Sequence, residues 1–346
     1  MTASDRLTDL QSFLAEHRWN LGDRATLAAD ASFRRYDRLR RGAETAVLMD
    51  APPDKEKPAA FLEIARLLQA LELSAPRILA ADEAKGFALL EDFGDNTFTV
   101  ALAEGAQEAP LYLDAITALT ALQSRWLADE RAARTVASAV VLERYDADEL
   151  SREARLLTEW TWPAITGRAL EEAAQSAYDA AWRQVFQRLD EVTPTLVLRD
   201  FHVDNLMTLP RREGPAAVGL LDFQDALIGH PAYDLVSLLE DARRDIAPET
   251  VEASLAAYFA ALPVFDTSAF REGYAILGAQ RAAKIVGVFT RLDRRDGKPG
   301  YLRHIPRTWR HLNRNLGHPT LKPVADWFAA HWPAELRLSP APHEAA

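Results

Sequence analysis

The sequence predicts an α+β protein of two lobes, a small β-rich N-terminal lobe and a large, mainly helical C-terminal lobe. Three observations favour this fold class. The chain has 346 residues, a length at which a single hydrophobic core usually stops growing. From about residue 24 to residue 92, short apolar runs are separated by turn residues, as in strands. From about residue 96 onward, Ala- and Leu-rich segments repeat with helical periodicity. We therefore expect lobes over residues 1–92 and 96–346, joined by a hinge at about 91–95.

The composition is that of a globular protein, with 48% hydrophobic and 26% charged residues. Lys and Arg number 40 and Asp and Glu 51, a net charge of −11, which disfavours binding to nucleic acid or to an anionic membrane surface. The absence of Cys excludes thiol chemistry and zinc–cysteine sites. The sequence contains no apolar run of bilayer length and no signal-peptide pattern at its start. We expect a cytoplasmic protein with no membrane or nucleic-acid partner, and no obligate protein partner is evident.

The small lobe is predicted element by element from periodicity and turn signals. Leu7, Leu10, Phe13 and Leu14 recur at helical spacing behind a Ser/Asp start. The residues after them alternate in strand fashion, and polar or Pro-rich turns separate the runs. In order, we predict a helix over Ser4–Glu16, strands at Arg34–Leu39 and Thr45–Met49, a helix over Pro58–Leu71, and strands at Arg77–Ala80 and Phe87–Glu91.

The large lobe is predicted to be helical apart from two short buried strands, Leu196–Leu198 and Ala217–Leu221. Because a polar turn at 211–215 lies between these strands, we interpret them as the two arms of one hairpin. The tail from Ser339 is expected to fray. The predicted helices are Thr97–Ala103, Leu111–Ala128, Ala147–Trp160, Ala169–Leu189, Ser237–Asp245, Pro248–Ala261 and Phe270–Phe289.

The chain contains 8 Trp residues, and one interpretation is that their rings stack on a bound carbohydrate. Trp160, Trp162, Trp182 and Trp309 stand in helical or nearly helical stretches with apolar neighbours. Core packing is therefore the better interpretation for these rings.

Acidic residues follow the two short strands of the large lobe. Asp200 and Asn205 are five residues apart, and Asp222 follows the second strand. Phosphoryl transfer needs a carboxylate that accepts or orients the hydroxyl proton, together with oxygen ligands for Mg²⁺. Each carboxylate alone is better explained as a turn residue or a helix cap. Two apolar strands that are each followed by an Asp, with an Asn at this spacing, favour a catalytic role for these residues.

This constellation after a β-rich lobe resembles the aminoglycoside-phosphotransferase-like branch of the protein-kinase-like fold. More narrowly, the chain resembles the bacterial anomeric N-acetylmuramate/N-acetylglucosamine kinases. The likeness covers most of the chain, from about residue 30 to residue 300. The stretches that carry it are Asp30–Tyr36, Val47–Pro53, Leu221–Ala226, Tyr233–Leu239 and Arg294–Pro299.

The resemblance implies roles for the acidic constellation. Asp200 would be the catalytic base or the group that orients the hydroxyl, and Asn205 and Asp222 would hold Mg²⁺. Asp234 is expected to anchor the catalytic loop rather than to touch a ligand.

The resemblance also implies an ATP site. Asp30 and Ser32 would lie in a turn over the nucleotide phosphates, where backbone amides and a hydroxyl replace several glycines. Glu91 and Phe93 would belong to the hinge whose backbone binds adenine. The alternatives are an ordinary hairpin turn for the first pair and a strand-end turn for the second.

The sequence departs from the kinase pattern at two positions. The third strand of most kinases carries a Lys that contacts the phosphates, and Met49 stands at that place here; Arg34 or Arg35 would then supply the cation. Without that Lys, we expect Glu63 to be a solvent-facing helix charge. Leu198 replaces a largely structural His before the catalytic loop, so altered packing is expected there.

The sugar site is predicted from four residues. His202 would hydrogen-bond a sugar hydroxyl, with a structural loop histidine as the alternative. Asp225 would contact sugar hydroxyls, with a structural cap as the alternative. Glu153 would approach the acceptor, with a surface salt bridge as the competing interpretation. Arg281, with Lys284 on the same helical face, would bind a substrate carboxylate, and a solvated basic stripe is the alternative.

The resemblance therefore implies an ATP- and Mg²⁺-dependent kinase that phosphorylates the anomeric hydroxyl of N-acetylmuramate or N-acetylglucosamine in cell-wall recycling. One alternative is a phosphotransferase for aminoglycosides or other small alcohols. The other alternative is a nucleotide-binding pseudokinase module, for which Met49 and Leu198 are the motivation.

Overall fold

The computed structural model describes residues 3–27, 33–131 and 142–343. The described residues form two compact units. Unit 1 comprises Met1–Leu142 and Val203–Ala226, and unit 2 comprises Glu143–His202 and Leu227–Ala346. This division differs from the predicted lobes because two helices and a hairpin that follow residue 96 belong with the N-terminal sheet. The lobe boundary at 91–95 stays a prediction.

The secondary structure is mostly helical. The α-helices are α1 (Ala3–Glu16), α2 (Pro58–Ala70), α3 (Phe98–Ala103), α4 (Glu108–Ala128), α5 (Ala147–Ala154), α6 (Trp162–Thr166), α7 (Glu172–Phe186), α8 (Ala232–Leu239), α9 (Pro248–Ala261), α10 (Thr267–Asp296), α11 (Ile305–Leu316) and α12 (Lys322–His331). The strands are β1 (Arg24–Thr26), β2 (Arg35–Arg41), β3 (Glu44–Asp50), β4 (Ile78–Asp82), β5 (Phe87–Leu90), β6 (Thr195–Val197), β7 (Leu206–Thr208), β8 (Val218–Leu220) and β9 (Leu227–Gly229). Among the residues that the structure describes, no helix has the length and apolarity that a bilayer crossing requires.

Unit 1 contains a five-stranded antiparallel sheet in the order β1-β2-β3-β5-β4. Leu39 pairs with Ala46 across β2 and β3, and both side chains are fully buried against α1. Because side chains alternate between the two faces of a strand, these residues define one face of the sheet. The predicted strands of this region are confirmed.

Helix α2 of unit 1 has the predicted apolar face and Pro58 in its first turn. The prediction for Glu63 is wrong, because this residue is buried and pairs with Arg66 one turn later. A carboxylate three residues from an Arg on a helix finds its cation locally, so burial does not require a partner on another element.

The predicted hairpin of the large lobe is also wrong in its pairing. Strand β6 pairs with β9, and strand β8 pairs with β7. Each of these strands has three residues, and so short an apolar run contains no register signal that would identify its partner. The β7–β8 hairpin lies in unit 1 and the β6–β9 pair in unit 2.

Helix α10 forms the centre of unit 2 and is longer than the predicted 270–289. Asp266 accepts a hydrogen bond from the Ala269 N–H at its start, and Gly297 ends it with a φ of 63°. Near its middle, a Cβ on Gly287 would lie 2.3 Å from the carbonyl carbon of Leu156. This close approach occurs beside a π-helical turn at Leu157–Thr161, which interrupts the single helix predicted over 147–160.

Other boundaries of unit 2 differ from the predictions. Helix α8 begins and ends earlier than the predicted 237–245, and α7 covers the middle of the predicted 169–189. The tail does not fray from Ser339: its Oγ donates to the Leu302 carbonyl at 3.1 Å, and the His343 N–H bonds the Asp293 carboxylate.

The tryptophans of unit 2 pack in its core, as predicted for Trp162, Trp182 and Trp309, all of which are buried. The Trp162 and Trp332 rings meet edge to face with centroids 5.1 Å apart, and Trp309 lies 5.5 Å from Trp332. Trp160 is half-buried.

Candidate active site

The loop after β6 is fixed by a buried carboxylate of the same unit. Asp234 accepts hydrogen bonds from the backbone N–H groups of Leu198 at 2.7 Å and Arg199 at 2.8 Å. Arg199 has a φ of 71°, an unusual conformation for a residue with a side chain. The two bonds hold the backbone in this strained geometry immediately before Asp200. The predicted anchoring role of Asp234 is confirmed.

Burial raises the pKa of Asp234 to about 7, and the two N–H donors oppose that shift. A carboxyl group buried this deeply is usually retained because it satisfies several donors at once. Asp234 is therefore a structural support of the loop, and its side chain is fully buried.

Asn205 and Asp222 lie at the same end of the β7–β8 ladder in unit 1. Leu206 pairs with Leu220, and the Leu221 N–H donates to the Asn205 carbonyl at 3.0 Å. The residue after Leu221 is Asp222, with a φ of 56° and an Oδ1 that accepts from Gln224 at 2.8 Å. The structure thus places Asn205 and Asp222 at the same end of one hairpin, and amide and carboxylate oxygens are the hard donors that Mg²⁺ prefers.

Phe223, the residue after Asp222, contributes to the core of unit 1. Its ring stacks on Phe61 of α2 with centroids 5.0 Å apart, and it is fully buried. This contact fixes the backbone that carries Asp222, because a buried aromatic pair resists rotation of either residue.

The side chains of the predicted hinge all have partners within unit 1. Glu91 pairs with Arg77 at 3.1 Å and Arg212 at 2.5 Å. Asp92 accepts from Arg38 at 3.0 Å and from the Gly94 N–H at 2.9 Å. These contacts hold the segment after β5 in place.

The hinge backbone leaves two polar groups available. The Glu91 N–H donates to the Arg77 carbonyl at 2.8 Å. Within the described part of the chain, the Glu91 carbonyl and the Phe93 N–H have no hydrogen-bond partner. An acceptor and a donor two residues apart are the groups needed to bond the edge of a purine base.

The remaining predicted phosphate contacts are only partly described. Asp30 and Ser32 lie outside the described residues. Arg34 lies at the start of β2, with its Nε 3.2 Å from Glu56 Oε2. Sequence reasoning missed Glu56, which stands in a polar segment before α2 and has no distinguishing pattern.

Glu153 is the centre of a buried polar cluster in unit 2. It is 2% exposed and contacts Arg199, Tyr145 and Lys284, the last at 2.8 Å. Burial would raise the pKa of Glu153, but the charges of Lys284 and Arg199 outweigh it and hold the pKa below its usual value. The surface salt bridge, the competing interpretation for Glu153, is therefore wrong, because two cations pair with it in the interior.

Arg281 is also an interior residue. It is 6% exposed and donates to Ser237 Oγ at 2.8 Å. Lys284, one turn further on α10, forms an ion pair with Glu153. The solvated basic stripe considered for this face of the helix is absent from the described structure.

The other two predicted sugar contacts differ in exposure. His202 is buried, and Arg243 Nη1 lies 3.5 Å from its Nε2. Because Arg only donates, this nitrogen of His202 is the acceptor. Asp225 is exposed.

Comparison with known proteins gives concordant results. A model of the family described as "Phosphotransferase enzyme family" matches residues 23–272. A protein of Caulobacter vibrioides named N-acetylmuramate/N-acetylglucosamine kinase is 37% identical, over 97% of this chain and 99% of its own length. A protein of Pseudomonas putida with the same name is 34% identical over 89% of this chain and 88% of its own.

Solved structures show the same fold at low identity. The GDP complex of aminoglycoside 2'-phosphotransferase-IIIa has a TM-score of 0.58 and 13% identity, over 90% of this chain and 99% of that one. A choline kinase from Streptococcus pneumoniae has a TM-score of 0.59 and 12% identity with the same coverage. The predicted protein-kinase-like fold is confirmed by these neighbours.

Proposed function

The chain belongs to the phosphotransferase enzyme family, and we propose that it is an ATP-dependent kinase acting on the anomeric hydroxyl of N-acetylmuramate, N-acetylglucosamine or both. The observation that carries this proposal is the 34–37% identity to relatives with that name over most of both chains. The product would be the sugar 1-phosphate, and the natural setting would be recycling of cell-wall sugars in the cytoplasm.

The proposed reaction is a direct phosphoryl transfer. The anomeric oxygen forms a bond to the γ-phosphorus of ATP, and the bond from that phosphorus to the β–γ bridging oxygen breaks, so that ADP leaves. Asp200 orients the sugar hydroxyl and accepts its proton. The anchoring of Leu198 and Arg199 by Asp234 supports this role, because such catalysis depends mainly on positioning.

Asn205 and Asp222 would hold Mg²⁺. Their common position at the end of the β7–β8 ladder and their oxygen ligands fit this ion, which usually takes one or two carboxylates and completes its shell with phosphates and water. When bound, the ion neutralises charge on the transferring phosphoryl group.

ATP would be bound by the hinge and by the turn before β2. The available Glu91 carbonyl and Phe93 N–H support adenine binding at the hinge. Asp30 and Ser32 remain proposed phosphate contacts from the sequence resemblance.

For the sugar, we propose His202 and Asp225 as contacts, and we revise the roles of Glu153 and Arg281. Both revised residues are buried and bonded within unit 2. Their contacts support a positioning role instead, since Glu153 holds the side chain of Arg199 beside Asp200.

The test is an ADP-release assay with three acceptors: N-acetylmuramate, N-acetylglucosamine and kanamycin. We expect turnover with one or both amino sugars, and a product whose ³¹P spectrum and lost reducing end identify a 1-phosphate. Turnover with kanamycin alone would contradict the proposal and identify the protein as an antibiotic phosphotransferase. Tight ATP binding without turnover of any acceptor would favour a nucleotide-binding module.

A further inference from the structure

Strand β3 offers no cation to a nucleotide. Met49 is fully buried and pairs with Tyr36 on β2 and Ala88 on β5. Transfer of the γ-phosphoryl group places negative charge on its oxygens, which kinases neutralise with cations that include a Lys on this strand. A cation for the phosphates must therefore come from another element.

Arg34 is held at the start of β2 by a carboxylate. Its Nε lies 3.2 Å from Glu56 Oε2, and the two side chains are only 11% and 14% exposed. The other oxygen of Glu56 accepts the Phe33 N–H at 2.9 Å. Glu56 thus fixes both the backbone before Arg34 and its guanidinium.

Tyr36 connects Arg34 to the proposed metal site. Its hydroxyl is hydrogen-bonded to Arg34, and the Asp222 carboxylate is close enough to act on it. Burial, more than any charge, raises the pKa of Tyr36 to about 12, so the phenol is neutral at pH 7. Arg34 is therefore bonded to a residue on which the charge of Asp222 acts, within unit 1.

Arg35 does not have this environment. It pairs with Asp50 across β2 and β3, and Asp50 bonds Arg6 of α1 on the other face of the sheet. Arg35 is exposed. Because consecutive side chains of a strand point to opposite faces, Arg35 does not share the face of Tyr36 and Met49.

We propose that Arg34 is the cation that contacts the ATP phosphates beside Asp222, and that Glu56 is its positioning residue. The inference rests on the proposed kinase function. The Arg34–Glu56 pair would take the place of the Lys–Glu pair of other kinases, and Glu63 of α2 is paired with Arg66 instead. The planar guanidinium bonds one oxygen anion while presenting further N–H groups to another.

The experiment compares Arg34→Gln with its neighbour Arg35→Gln, which serves as the matched control. Calorimetry would measure the affinity of each for ATP and for adenosine, which has the base without phosphates. We expect Arg34→Gln to weaken ATP binding about tenfold or more, with the adenosine affinity and Tm unchanged. Arg35→Gln should bind both ligands within about twofold of wild type. Wild-type ATP affinity in Arg34→Gln, or an equal loss for adenosine, would overturn the proposal.

The role of Glu56 is tested by non-additivity. Glu56→Gln should weaken ATP binding less than Arg34→Gln, and the double variant should be no weaker than Arg34→Gln alone, because Glu56 acts through Arg34. Arg34→Lys should recover part of the ATP affinity. Additive losses would contradict a positioning role.

These measurements need no sugar, so they separate the two proposals. If no sugar is phosphorylated but Arg34→Gln still loses ATP affinity selectively, the kinase assignment fails and the phosphate contact stands. If sugars are phosphorylated and Arg34→Gln binds ATP normally, only the phosphate contact fails.

Discussion

The ring of Phe93 lies directly against Gly219, so that a Cβ at position 219 would be 2.8 Å from Cδ2 of the ring. The Arg212 guanidinium also lies over this ring, 5.3 Å from its centroid. The hinge residue is therefore in contact with both strand β8 and a cation of the same unit. Any side chain at 219 must displace the ring.

Gly219→Ala should move Phe93 and, with it, the hinge backbone. We expect the KM for ATP to rise severalfold and the free energy of unfolding to fall by about 1–3 kcal/mol, the usual cost of overpacking. Steady-state kinetics and urea unfolding would measure both. Adding Phe93→Leu, which removes part of the clash, should restore stability; a double variant less stable than Gly219→Ala would contradict this account.

Asp200→Asn should abolish most of the turnover while the protein stays folded. General-base catalysis contributes about 10²–10⁴-fold, so we expect kcat to fall by at least about 10²-fold, with ATP affinity and Tm retained. The matched control is Asp190→Asn, an exposed carboxylate of the same unit, which should be fully active. Near-normal turnover in Asp200→Asn would refute the assigned role.

Glu153→Gln should destabilise unit 2, because it leaves the Arg199 and Lys284 cations without their shared carboxylate. Removing one partner of a buried ion pair costs about 3–5 kcal/mol. Because the side chains of both cations are 18% exposed, we expect the loss in the free energy of unfolding to lie at the low end of this range. Chemical denaturation would measure the loss. Adding Lys284→Met should recover part of it, and a further loss of stability in the double variant would argue against charge imbalance as the cause.

His230 should make the protein sensitive to acid. Burial lowers its pKa from 6.5 to about 3, and its Nδ1 accepts the Ala232 N–H at 3.1 Å. Between these two pH values the unfolded chain binds a proton that the folded protein does not, so stability is lost as the pH falls from 6.5 toward 3. The contribution is at most about 1.4 kcal/mol per pH unit.

His230→Gln tests this dependence, since the variant has no imidazole to protonate. Thermal unfolding between pH 4 and pH 7 should show a smaller slope of Tm with pH than the wild type. Parallel slopes for the two proteins would show that His230 does not carry the effect.

The acidic constellation could be found from the sequence because its signals are local. Asp200 and Asp222 each follow a short apolar run, and Asp234 lies in Tyr233–Leu239, one of the stretches that carry the family resemblance. Such positions are specified by near neighbours in the chain. The anchoring contacts of Asp234 agree with that prediction.

The partners of charged residues were far less predictable. Glu153 meets Lys284 and Glu56 meets Arg34 only after folding, and no periodicity relates the members of either pair. The predicted pairing of the three-residue strands was wrong for the same reason, because tertiary packing, rather than the strand itself, selects the partner strand. Ion pairs and short ladders therefore require the structure.

The division of the chain has a consequence for how the protein can be made. Unit 1 takes its last segment from Val203–Ala226, and the Leu220 N–H in that segment bonds the Ser74 carbonyl at 2.8 Å. On the ribosome, unit 1 stays incomplete until residue 226 has been synthesised. A gene fragment that stops at residue 142 would encode its sheet without the hairpin that carries Asn205 and Asp222. Producing unit 1 alone would require that hairpin to be fused back through an engineered linker.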